Sequence, residues 1–191
     1  MAEVVVQRHP ALLRRERTGL IVVDVQEGFR PVIDGFDRTV AACGLLAEGF
    51  GVLGRPVVVS EQYPKGLGAT VPEVAGRLPE GTVPVEKVRF SACGVQGIDE
   101  AVAAAGCPAW VVAGIEAHVC VNQTVLDLLE RGHEVHVAAD ATSSRDPENK
   151  RLALERMAQA GAHVTSSEMA LFEMLEEAGT AEFKAISKLV R

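Results

Sequence analysis

Two hydrophobic patterns alternate along the chain. Thr18-Gly-Leu-Ile-Val-Val-Asp24 is a continuous apolar run that stops on an aspartate. Such a run reads as a strand buried on both faces, as in a parallel sheet. Further strands are expected at residues 56–60, 83–87, 110–113, 134–139 and 163–165. Between them lie segments of helical period. Asp37 reads as the cap of a helix over residues 40–53, although Gly44, Gly49 and Gly51 weaken it. Residues 95–105 are alanine-rich and helical, and Pro147 opens a helix running to about residue 160. After residues 110–113, Gly114 is expected to break the strand. A helical pattern then starts near His118, with Val121, Val125, Leu128 and Leu129 on one face. The fifth strand is expected to end at Asp140, read as an Asx turn or loop anchor. Ser166 reads as a helix cap with Glu168 near the capping-box position, and residues 183–190 as a short helix. Residues 1–17 read as an irregular or helical lead-in, and residues 61–82, rich in Gly and Pro, as a long functional connection.

This alternation predicts an α/β fold, a three-layer α/β/α arrangement around a six-stranded parallel sheet. A chain of 191 residues suits one domain, with a core over about residues 17–175. Ligands of such sheets bind beyond the carboxyl ends of the strands. Asp24, Lys87 and Cys120 fall at or just past three of those ends. Each has a plainer reading: a turn cap, a surface lysine, a small buried residue. Together they make a reactive set. A helix N-terminus and a lysine both favour a thiolate, and an aspartate can carry the proton.

Composition narrows the partners. The formal net charge is −7 and no basic cluster is denser than Arg14-Arg15, which argues against nucleic acid or an anionic membrane as partner. No apolar run is long enough to span a bilayer, and the N-terminal residues lack a signal-peptide pattern. Cys43, Cys93, Cys107 and Cys120 are scattered without a C-x-x-C pair, so a cytoplasmic setting is expected. A nucleotide cradle is also missing, because Asp24-Val-Gln-Glu-Gly-Phe29 follows the first strand in place of a G-x-G-x-x-G turn.

Three motifs carry a specific resemblance: Leu20-Ile-Val-Val-Asp24-Val-Gln26, Glu86-Lys87-Val-Arg-Phe-Ser91 and Gly114-Ile-Glu-Ala-His-Val-Cys120-Val121. They resemble the isochorismatase-like cysteine hydrolases over roughly residues 17–175. Glu61-Gln-Tyr-Pro-Lys-Gly-Leu-Gly-Ala-Thr-Val-Pro-Glu73 and Asp140-Ala-Thr-Ser-Ser-Arg145 look most like the isochorismatase domain-containing proteins. The resemblance implies strand order 3-2-1-4-5-6 and a homo-oligomer, at least a dimer. It makes Cys120 the nucleophile, Asp24 the general base and acid, and Lys87 their electrostatic partner. It also implies a cis peptide between Ile115 and Glu116, with the N–H groups of Glu116 and Cys120 forming an oxyanion hole.

The implied reaction is hydrolysis of a small amide, ureido or carbamoyl compound through a thioester. The alternatives are isochorismate-like vinyl-ether hydrolysis and a non-catalytic binding scaffold. Gln26, Phe29, Gln62, Tyr63, Phe90 and His118 are the expected substrate contacts. Glu61, Gln62 and Tyr63 are read equally as supports of the long connection. Nicotinamidases of the group carry an Asp-x-His pair after the second strand. Here Ser60-Glu-Gln-Tyr63 stands there, with no histidine between His9 and His118, so no metal or other cofactor is expected. His133 and His136, around the fifth strand, are read as structural.

Overall fold

A computed structural model describes residues 8–191. Among them six strands form one parallel sheet in the order β3-β2-β1-β4-β5-β6. The strands are β1 (Thr18–Val23), β2 (Val57–Gln62), β3 (Val85–Lys87), β4 (Ala109–Ile115), β5 (Glu134–Ser143) and β6 (His163–Thr165). The expected fold class and strand order are both found. Part of the lead-in, residues 1–7, lies outside the described residues; Arg15–Arg17 form a single 3-10 turn.

Every residue of β1 and of β4 is buried, which is why both read as unbroken apolar runs. Successive side chains point to opposite faces. Leu20, Val22, Val111 and Ala113 pack under α1 (Phe36–Val52), α7 (Ser167–Leu175) and α8 (Ala181–Leu189). Ile21, Val23, Trp110 and Val112 pack under α4 (Gln96–Ala105), α5 (Asn122–Glu130) and α6 (Pro147–Gln159). Two short helices, α2 (Pro64–Leu67) and α3 (Pro72–Ala75), break up the long connection after β2. The described helices include none long and apolar enough to cross a membrane.

Several boundaries differ from the sequence expectation. Asp37 does not cap α1; Gly35, in the left-handed region at φ 61°, precedes the first turn and Asp37 lies within it. Ser166 does cap α7, accepting the Met169 N–H. β5 runs past Asp140 to Ser143, because its register against β4 shifts between Val112 and Gly114. Asp140 serves as an anchor all the same: its carboxylate accepts the backbone N–H and the hydroxyl of Ser167.

The largest difference is at Gly114. It does not end β4, which continues through Ile115. Instead it holds φ at 125°, and a Cβ there would lie 2.0 Å from the Val23 carbonyl oxygen. Gly114 pairs with Val23, the last residue of β1. The glycine lets β4 pass against the end of β1, which brings the residues after both strands close together. Gly114→Ala should cost about 3 kcal/mol or more, from the disallowed backbone and the overlap. That corresponds to a loss of roughly 6–12 °C in Tm for a chain of this size. A thermal melt checks it, and an unchanged Tm would show that the strands can separate freely.

Candidate active site

In this strand order the chain reverses direction across the sheet between β1 and β4, so a crevice opens there beyond the carboxyl ends. Asp24 follows β1 directly and sits in the left-handed region at φ 53°, a conformation that aspartate tolerates better than most residues. Lys87 closes β3, two strands away. Cys120 lies in a π-helical turn, Ala117–Val121, between β4 and α5. The helical pattern expected from His118 is therefore irregular before it becomes α-helical at Asn122. The Ile115–Glu116 bond ahead of this turn is cis.

The three side chains meet. Lys87 Nζ lies 2.7 Å from Asp24 Oδ2, and neither side chain is exposed to solvent. Asp24 Oδ1 accepts the Ser60 hydroxyl at 2.7 Å. Lys87 also donates to Gln62 Oε1 at 2.7 Å and to the carbonyls of Phe90 at 2.9 Å and Arg89 at 3.0 Å. An ammonium has three hydrogens, and these three acceptors use them. Asp24 Oδ2 is thus held by charge and keeps no aligned hydrogen-bond donor of its own.

Cys120 is 5% exposed, and both charged groups act on its thiol. Burial, then the charge of Asp24, push that thiol up to about 12, against the opposing effect of Lys87. Desolvation therefore opposes the thiolate that the lysine and the helix start favour. Burial likewise raises the Asp24 carboxyl above its ordinary 3.8, opposed by the neighbouring Lys87, Ser60 and Cys120. A raised carboxylate is a stronger base, which suits it to the thiol beside it.

Neighbouring loops are tied to this centre by further hydrogen bonds. Thr124 accepts the Ala92 N–H at 2.9 Å and donates to the Cys120 carbonyl at 2.7 Å, fastening the segment after Lys87 to the Cys120 turn. Ser91 donates to Asp127 at 2.6 Å. Glu116 is buried, and its carboxylate accepts the backbone and guanidinium N–H groups of Arg145 at 2.9 and 3.0 Å. Ser60 had a visible signal, a polar residue ending an apolar strand. The bond between Thr124 and Ala92 had none, because the two lie far apart in sequence.

The expected substrate contacts divide. Gln62 grips Lys87. Tyr63 is half exposed and lines a cleft of about 460 Å³ together with Lys65, Glu86, Lys87, Val88 and Arg89. Lys87 is the member shared with the buried centre; Asp24 and Cys120 do not line this cleft. Gln26 is fully buried, and its amide is spent on Gln62 and Gly68 backbone groups, so it holds the loop and has nothing left for a substrate. Glu61 holds the same loop through Thr70. Phe29 packs against the α1 face of the core. Phe90 is exposed and meets the site through its carbonyl, while its ring does not line the cleft. His118 bonds Ser144 at 3.0 Å and lines a separate cleft of about 150 Å³ beside α6.

Known proteins share this fold. The isochorismatase domain matches residues 18–169. Isochorismatase domain-containing protein 1 of Danio rerio is 42% identical over 169 residues, covering 88% of this chain; the chain spans 59% of that relative's length. The structure of MAR1 ribonuclease from Caenorhabditis elegans superposes with a TM-score of 0.89 at 38% identity, covering 93% of this chain and 91% of the other. The YcaC gene product of Escherichia coli, described as an octameric hydrolase of unknown specificity, superposes at 0.87, covering 96% of this chain and 92% of the other. Its 21% identity carries the fold alone. With the domain matched over most of the chain and the sheet order reproduced, the protein belongs to the isochorismatase family and has its hydrolase fold.

Proposed function

We propose that the protein is a cysteine hydrolase of a small amide, ureido or carbamoyl compound, working through a thioester. The observation that carries this reading is the buried Asp24–Lys87 pair against the Cys120 thiol. Two buried charges cost roughly several kcal/mol each in desolvation, so a purely structural role is a poor account of them. A thiol that must lose its proton to react supplies a reason for both.

In the proposed cycle Asp24 takes the Cys120 proton as the sulfur attacks the carbonyl carbon, and Lys87 offsets the negative charge that moves between them. The backbone N–H groups of Glu116 and Cys120 hold the developing oxyanion. Asp24 returns its proton to the departing nitrogen, leaving the thioester. Water, deprotonated by Asp24, then releases the acid and regenerates the thiol. No step calls on a metal. Lys65 and Arg89 give the adjoining cleft a cationic lining, relieved by Glu86. This favours a small substrate with an anionic group over a polyanion, as does the net charge of −7. The four cysteines are buried and unpaired, which supports a reducing, cytoplasmic setting. Self-association belongs to the same reading: Val83, Val88 and Phe90 are exposed apolar residues around the edge strand β3. An oligomeric neighbour of the same fold fits it.

Cys120→Ala should fold normally and lower ammonia release from a panel of amides, ureido acids and carbamoyl compounds by at least about 10³-fold. If Cys120→Ala keeps full activity while Asp24→Asn loses it, the thiol mechanism fails. Direct activation of water by Asp24 would then take its place, whereas vinyl-ether hydrolysis with Asp24 as the acid would be marked by no ammonia from any of these compounds and cleavage of a vinyl ether instead. Turnover of RNA but of none of these compounds would overturn the small-amide reading.

The pH dependence follows from Asp24. An acid with a raised pKa keeps its proton to higher pH, so the base form appears late. kcat/KM should therefore fall as pH drops through a midpoint above 3.8, and Asp24→Asn should remove activity across the range. Iodoacetamide should label Cys120 slowly at neutral pH, with a rate that climbs with pH toward about 12. Rapid labelling at neutral pH would instead mark a preformed thiolate.

A further inference from the structure

The parallel register of β5 and β6 sets His136 directly beside His163. Glu134 lies two positions before His136 and so shares its face of the sheet. The two imidazole centroids are 4.7 Å apart at 38°, and His136 Nε2 is 3.0 Å from Glu134 Oε1. One ligand-type atom from each of the three side chains falls within a 4.8 Å circle. All three lie toward the amino ends of their strands, whereas Asp24, Lys87 and Cys120 lie at or past the carboxyl ends.

We propose that Glu134, His136 and His163 form a binding site for a divalent transition-metal cation of the zinc type, separate from the hydrolytic centre. Two imidazoles and a carboxylate are a donor set that zinc accepts, with a water completing the tetrahedron. Bonds of roughly 2.0–2.1 Å require donors about 3.4 Å apart, so the cluster must tighten modestly. The freedom to do so is on the right residue. His163 is exposed and can turn, while His136 is held with its side chain 2% exposed and Glu134 is partly exposed at 28%. On binding, His136 Nε2 would exchange its contact with Glu134 for the metal, and Glu134 would ligate the same ion.

Such an ion would do a definite job. β6 is a three-residue edge strand, held on one side only by β5. A cation shared by Glu134, His136 and His163 clamps it there, and through it the start of α7. The site is thus structural, and its occupancy adds to stability by mass action.

Equilibrium dialysis of the full chain against Zn2+, with metal analysis, and thermal melts at the same concentrations test this. The expected result is one zinc per chain and a Tm that rises with zinc. Mg2+ should give neither, since nitrogen donors suit it poorly. His163→Ala, at an exposed position, and Glu134→Gln should each weaken zinc binding by at least about tenfold and remove the Tm gain. His133→Ala, outside the cluster, should keep both. Absence of stoichiometric zinc in the wild type, or binding unchanged in His163→Ala, would overturn the proposal. Metal content is read directly, so this result stands or falls apart from the hydrolase reading.

Discussion

The buried contact between Asp24 and Lys87 is the constraint on which the carboxyl edge of this sheet depends. Neither charge can be left alone in a dry interior, and their mutual attraction repays the desolvation only if their other hydrogen-bonding atoms are also served. Ser60 serves Asp24, and Gln62 with two backbone carbonyls serves Lys87. Those partners come from the end of β2 and from the segment after β3. The ion pair therefore fixes the geometry of three strand ends at once. The Asp24 oxygen left without an aligned donor belongs to the group that the proposed chemistry uses as base.

Close backbone approach makes this meeting possible. Gly114 admits the Val23 carbonyl where any side chain would collide, and Gly19 leaves room for the ring of Trp110 on the same pair of strands, where a Cβ would lie 2.4 Å from it. Both glycines sit in the β1–β4 ladder, the place where the chain reverses across the sheet. The crevice and the tightest strand contact therefore occur together. The Cys120 turn is then secured from the far side by Thr124 and by the Glu116–Arg145 pair, so the thiol is held between rigid elements.

Much of this was legible in the chain. The continuous apolar runs of β1 and β4 announced strands buried on both faces, and their alternation with helical segments announced the parallel sheet. Asp24, Lys87 and Cys120 stood out because a parallel sheet brings strand ends to one edge. The substrate contacts were less legible. Gln26 and Gln62 look alike in sequence, yet one is consumed by loop backbone and the other by the lysine. His118 sits two residues from Cys120 but bonds Ser144 beside α6. Gly114 read as a break because sequence periodicity carries no record of a neighbouring carbonyl.

The sequence by itself determined the elements, their layering and which three candidate side chains fall at the carboxyl edge, since these follow from local periodicity and from residue chemistry at strand ends. Tertiary structure alone decided the burial that raises the thiol, the division of polar side chains between loop and site, and the pairing of His136 with His163. Each of these depends on burial or on contacts between residues far apart in the chain. Desolvation raises Cys120 despite a lysine beside it, and strand register makes neighbours of two histidines that no spacing rule would join.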